Sequence, residues 1–191
     1  MAISQITEPM TMATDYVLAL LAAALAVRLR LRAGTFAAGS VGWWCLAFTI
    51  TALAALAGGT AHGFRLYLGE ELHAKVWQLT VGSIALSVTV TLGAAVRVVL
   101  RPSIDPGERR KAGHRWLKRG LYVTLAGVAV QLGGWGLHTH FNHNDIYHLV
   151  QMAGLYCLYR GALKLDGLDG VFPRLKDNVG SSRRQTGSYS L

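Results

Sequence analysis

The sequence predicts an all-α integral membrane protein, a bundle of five transmembrane helices with its amino terminus outside and its carboxyl terminus in the cytoplasm. Three observations lead there. Apolar types make up 52% of the 191 residues and charged types only 15%. The formal net charge is +9, so the few charges are strongly biased in sign. Five predominantly apolar stretches recur along the chain, and a bilayer crossing needs about 20 such residues. Together these argue against a disordered chain, a disulfide scaffold and a soluble nucleic-acid binder.

The first stretch covers residues 16–31 and ends in the alternating cations Arg28, Arg30 and Arg32. Residues 1–27 contain no Lys or Arg. A cleaved signal peptide carries its cations before the apolar run, so this reads as a retained helix. The second stretch runs over 41–63 and the third over 76–99; the fourth runs over 121–137 and the fifth over 147–163. Glycines are frequent in them (Gly58, Gly59, Gly63; Gly133, Gly134, Gly136), and in lipid small residues let helices approach closely. No strand precedes them, which sets a phosphate-loop reading aside. The two cysteines, Cys45 and Cys157, fall inside apolar stretches and read as packing groups.

Orientation follows from the cations. Five alternating spans put 17 of the 19 Lys and Arg residues on one side, leaving Arg65 and Lys75 for the other. By the positive-inside tendency that side is cytoplasmic. The expected setting is the plasma (inner) membrane of a bacterium. Residues 1–165 form the membrane domain. Residues 166–191 turn polar and read as a mobile cytoplasmic tail. The basic connection from Arg101 to Arg119 reads as a topology determinant in reach of anionic lipid, with no nucleic-acid partner expected.

Histidine carries the functional signal. His114 lies on the cytoplasmic side, whereas His62, His73, His138, His140, His143 and His148 map to the outer ends of spans two to five or their connections. Ionisable groups at membrane depth are costly and mark bundle interiors or wet cavities with a role. Asn142 reads as the N-cap of the fifth helix with Asp145 at its third position. Asp145, His148 and Gln151 then recur at spacing three as one polar stripe. His148 needs a partner, His62 first and Asp15 second. For His73, beside Glu70 and Glu71, a surface ion pair serves equally well. A structural hydrogen-bond network holding helices together competes with chemistry for His148, Asp145 and Gln151.

Two chemical uses compete. Zinc or another divalent metal held by three protein ligands would acidify a bound water, with Asp145 or Asp15 accepting its proton and Gln151 alongside. Alternatively, two histidines on facing helices hold one haem in a redox subunit. A third use is non-catalytic, as an assembly subunit of a larger membrane complex.

His62 late in the second span, with Asp145 and His148 at the last, resembles the alkaline ceramidase and adiponectin-receptor superfamily of membrane hydrolases. The likeness covers a few tens of residues. It implies zinc held by a histidine from an early helix and two from the last, here His62 with His143 and His148, and amide hydrolysis in a lipid. The expected function is metal-dependent hydrolysis of a lipid or lipid-like amide or ester. The chain departs from that pattern in three ways: five spans instead of seven, Gly58 where a serine would precede His62 by four, and His143 and His148 five apart instead of four.

Overall fold

A computed structural model describes residues 6–33, 40–100, 107–138, 141–165 and 168. The expected polar tail lies almost entirely outside the described residues, as do Arg101 to Pro106 of the basic connection and His140. The described chain is helical, with five α-helices: α1 Pro9–Ala33, α2 Ser40–Gly63, α3 Arg65–Leu100, α4 Glu108–Gly133 and α5 His143–Leu165. Three of them, α1, α2 and α3, are long and apolar enough to cross a membrane. The fourth and fifth sequence stretches do form helices, but not ones that meet that standard alone. Basic residues from Arg110 to Arg119 fill the first turns of α4, while polar residues at both ends of α5 shorten its apolar run.

Local chemistry sets the boundaries. α1 opens on Pro9, whose missing N–H costs nothing in a first turn. α2 and α3 meet at a sharp corner around Phe64, whose N–H bonds Thr60 O while Leu68 N–H bonds Phe64 O. Gly69 then interrupts α3 with φ 68° and ψ 166°, backbone that glycine adopts without a Cβ clash. α4 stops at Gly133, four residues short of the predicted 137. Gly134 turns left-handed (φ 64°), and the Gly134 and Trp135 N–H groups bond Gln131 O and Val130 O. This is a Schellman stop, which a Gly-Gly pair invites.

The helices pack side by side in the order α3, α2, α1, α5, α4. α1 is central, burying Leu18, Ala22, Leu25 and Leu29 at spacing three to four. Trp44 and Phe48 of α2 and Leu158 and Ala162 of α5 complete the core. α4 and α5 approach through glycine. A Cβ at Gly120 would sit 3.0 Å from Leu158 N, and one at Gly161 would sit 3.1 Å from Leu117 N. Gly113, Gly120 and Gly127 on α4, and Gly154 and Gly161 on α5, repeat every seventh residue and keep one face small. Away from these seams the surface is apolar, with Leu20, Leu31, Leu79 and Val96 all exposed. Apolar surface of that extent marks a membrane or partner contact.

A buried acid–imidazole chain as the candidate site

The antiparallel packing brings the start of α1, the end of α2, the start of α3, the end of α4 and the start of α5 to one end of the bundle. The first turn of α5 is built as its sequence requires. Asn142 Oδ1 accepts the Asn144 N–H at 2.8 Å, and Asp145 Oδ2 accepts the Asn142 N–H at 2.8 Å. This reciprocal cap pins Asp145, which is fully buried. One turn later on the same face, His148 is buried as well.

His148 is held from both sides by α1. Its Nε2 lies 3.2 Å from Asp15 Oδ1, and its Nδ1 lies 2.9 Å from the Thr14 hydroxyl. That hydroxyl is also 3.3 Å from Asp145 Oδ1 and 3.1 Å from Thr11 O. Asp15, His148, Thr14 and Asp145 thus form one continuous hydrogen-bonded chain between α1 and α5. Thr14 carries a single hydroxyl hydrogen and has three acceptors in reach. Which nitrogen of His148 carries the hydrogen decides whether Thr14 donates to Nδ1 or accepts from it. Asn142 Nδ2 adds a longer donation to Thr11 Oγ1 at 3.4 Å.

The chain borders a cavity of about 510 Å³. Asp15, His62, His148, Asn144, Gln131 and Gln151 line its polar end, and Ile84, Val88, Leu92, Leu121 and Leu155 are among its apolar walls. Asp15 Oδ2 and Gln131 Oε1 are buried without a hydrogen-bond partner. Gly58 makes room for Asp15: a Cβ there would fall 3.1 Å from Oδ2 and 3.3 Å from Oδ1. A second hollow, between α1 and α2, is lined by apolar residues with Tyr16 and Thr49.

The sequence-derived residues separate on inspection. Asp15, Asp145, His148 and Gln151 come together at this end, and Asp15 is the partner that His148 required. His62 shares the cavity wall, but its Nδ1 lies 3.1 Å from Glu8 Oε2 and its ring packs edge-on to Trp77 at 5.7 Å. His143, half-buried at the first position of α5, is not among the residues lining the cavity. Five residues from His148 on a regular helix means about 140° of rotation, which turns the two imidazoles apart. Among the described residues, no three His, Cys, Asp or Glu side chains gather as a metal site. His138 is exposed in the α4–α5 turn, pairing with Phe141 through the backbone.

Sequence reasoning missed Thr14, Thr11 and Glu8. Thr11 and Asp15 at spacing four, with Thr14 beside them, form a polar patch in an otherwise apolar helix. That patch is the signal that would have found them.

The fold and site together define a helical protein with membrane-compatible helices and a buried acid–imidazole chain at the polar end of an apolar cavity. The chain belongs to a family of unknown function (DUF6962), whose model matches residues 10–106 and 105–166. No curated protein matches it, and no solved structure does.

Proposed function

We propose that all five helices cross a bilayer with the amino terminus outside, and that the chain is a membrane-embedded hydrolase of a lipid-like amide or ester. The distribution of 17 of 19 Lys and Arg residues supports the topology. It also accounts for α4 and α5, whose cations concentrate toward one end and can reach the membrane–water interface there. A bacterial inner membrane is the proposed location.

The observation that carries the chemistry is the buried, unpartnered Asp15 Oδ2 on a residue that lines an apolar cavity, while Oδ1 engages His148. A water donating to Oδ2 is placed for attack on a carbonyl carbon. Its proton passes to the Asp15–His148 pair as the C–O bond forms. The pair then protonates the leaving nitrogen or oxygen, and the C–N or C–O bond breaks to give an acid and an amine or alcohol. Thr14 and Asp145 fix the imidazole orientation from behind. Positioned acid–base groups of this kind contribute about 10²–10⁴ in rate. Gln151 lines the same wall and is offered as a hydrogen-bonding contact to substrate.

A metal-assisted version is the second reading. Asp15 and His148 are nitrogen and oxygen donors of the type zinc takes, and His62 lies on the same wall. A bound divalent ion would supply a Lewis acid and a more acidic water. The three-histidine set with His143 is not the one this geometry favours.

The test uses purified protein in lipid nanodiscs with a panel of amide and ester amphiphiles, with and without a chelator. Turnover that falls at least about 100-fold in both Asp15→Asn and His148→Ala is expected. Undiminished turnover in either variant removes the acid–base reading. Turnover lost on chelation and restored by stoichiometric zinc selects the metal-assisted version. Destabilised variants of a protein that turns over nothing would leave the network as a brace between helices.

A further inference from the structure

The row of helices does not close. α3 packs on α2 and α4 packs on α5, yet α3 and α4 make almost no contact with each other, although both line the 510 Å³ cavity. The gap between them opens sideways, bordered by exposed apolar side chains such as Leu92 on α3 and Leu121 on α4. On α3 the lining runs from Trp77 to Val99. At 1.5 Å per residue that is roughly 33 Å, close to the thickness of a bilayer's hydrocarbon core.

The closed end states what it wants. Asp15 Oδ2 and Gln131 Oε1 are buried acceptors without donors, and Asp15 has a side chain only 6% exposed. Such atoms are complemented by a group carrying N–H or O–H. The ionisable groups nearest them, besides the two imidazoles, are carboxyls: Asp15 itself, Asp145 behind Thr14, and Glu8 behind His62. Lys118 is the cation among the described lining residues, and it sits toward the opposite end of α4. A phosphate head would meet like charge there; an uncharged or cationic head would not. A helix from a second copy fits less well, because its backbone N–H groups are already spent on its own turns.

We propose that the gap between α3 and α4 is a lateral mouth that admits a long-chain amphiphile from within the bilayer, and that the amphiphile's head is uncharged or cationic and bears hydrogen-bond donors. The inference rests on the reading of Asp15 and His148 as the reactive end, and it names the substrate class. Lipid tails are as apolar as leucine, so the chain gains little from leaving the bilayer. Selection therefore resides in the head, and the groove discriminates chains by steric fit.

The full chain in nanodiscs is irradiated with three photoactivatable probes that share a sixteen-carbon chain and carry an ethanolamide, a primary amine or a phosphate monoester. The ethanolamide and amine are expected to label groove residues of α3 and α4 at least about tenfold more than the phosphate. Ala95→Trp or, if that variant fails to fold, Val88→Trp should cut this labelling about fivefold or more. Leu31→Trp on the outer face of α1 should leave it unchanged. Equal labelling by the phosphate overturns the head assignment. Labelling spread over outward residues such as Leu20, whatever fills the groove, overturns the mouth. Cross-links between two copies across α3 and α4 would give the gap to a second subunit and overturn it too. Groove labelling without hydrolysis of any probe would leave the mouth standing and remove only the catalytic reading.

Discussion

Replacing Thr14 by valine keeps the branched shape and deletes one hydroxyl, which makes it the sharpest probe of the buried chain. That hydroxyl reaches His148 Nδ1 at 2.9 Å and Asp145 Oδ1 at 3.3 Å. Asp145 retains the Asn142 N–H through its other oxygen. His148, with 9% of its side chain exposed, has no second partner at Nδ1 once Thr14 is gone. A buried polar atom stripped of its partner costs about 1–3 kcal/mol. For a chain of this size each kcal/mol lowers the melting temperature by about 2–4 °C, so Thr14→Val should melt about 2–12 °C below the parent. Thermal unfolding in one fixed detergent measures the shift. A double-mutant cycle with His148→Leu assigns it: the coupling should be about 0.5–3 kcal/mol, because Thr14→Val costs less when its imidazole partner is absent. Additive losses would mean that the hydroxyl and the imidazole do not interact, and the chain described above would be wrong.

Asp145→Ala removes the acceptor of the Asn142 N–H and the third-position carboxylate of α5. It should destabilise the protein by about 1–3 kcal/mol. Amide exchange should quicken first across residues 142–148; unchanged protection there would contradict the cap. Gly161→Leu drives a Cβ to 3.1 Å from Leu117 N and 3.3 Å from Leu117 Cα. It should cost about 1–3 kcal/mol or more as α4 and α5 part. Gly82→Ala in α3 meets nothing within 4 Å and should stabilise by up to about 1 kcal/mol through helix propensity. A Gly161→Leu variant that melts at or above the parent would refute the account of the α4–α5 seam.

The helices and the cap of α5 were legible because they rest on local chemistry: apolar runs, a Gly-Gly stop, and Asn142 with Asp145 three residues on. The side-by-side order was not. Helices apolar on nearly every side carry little amphipathic signal to say which face meets a neighbour and which meets lipid. The polar stripe of Asp145, His148 and Gln151 was readable from spacing, and it demanded a partner on another helix. Choosing between His62 and Asp15 required the packing of α1 between α2 and α5, which the polar patch of Thr11, Thr14 and Asp15 marks on α1 but does not assign to a partner helix. His143 entered the ligand set through the likeness to a superfamily with two last-helix histidines, although its spacing of five from His148 turns it away on a regular helix. Thr14 escaped notice because a threonine in an apolar helix ordinarily bonds its own backbone, as Thr49, Thr60 and Thr89 do here.

The central position of α1 also bears on how the molecule is made. Thr14 and His148 stand 134 residues apart, so the ribosome releases Asp15 long before its imidazole exists. Until α5 emerges, an acidic side chain on an otherwise greasy helix waits without its counterpart, and only arrival of the last segment relieves it. A chain cut short before α5 lacks His148 and leaves Asp15 without that imidazole, whereas the finished chain pairs the two.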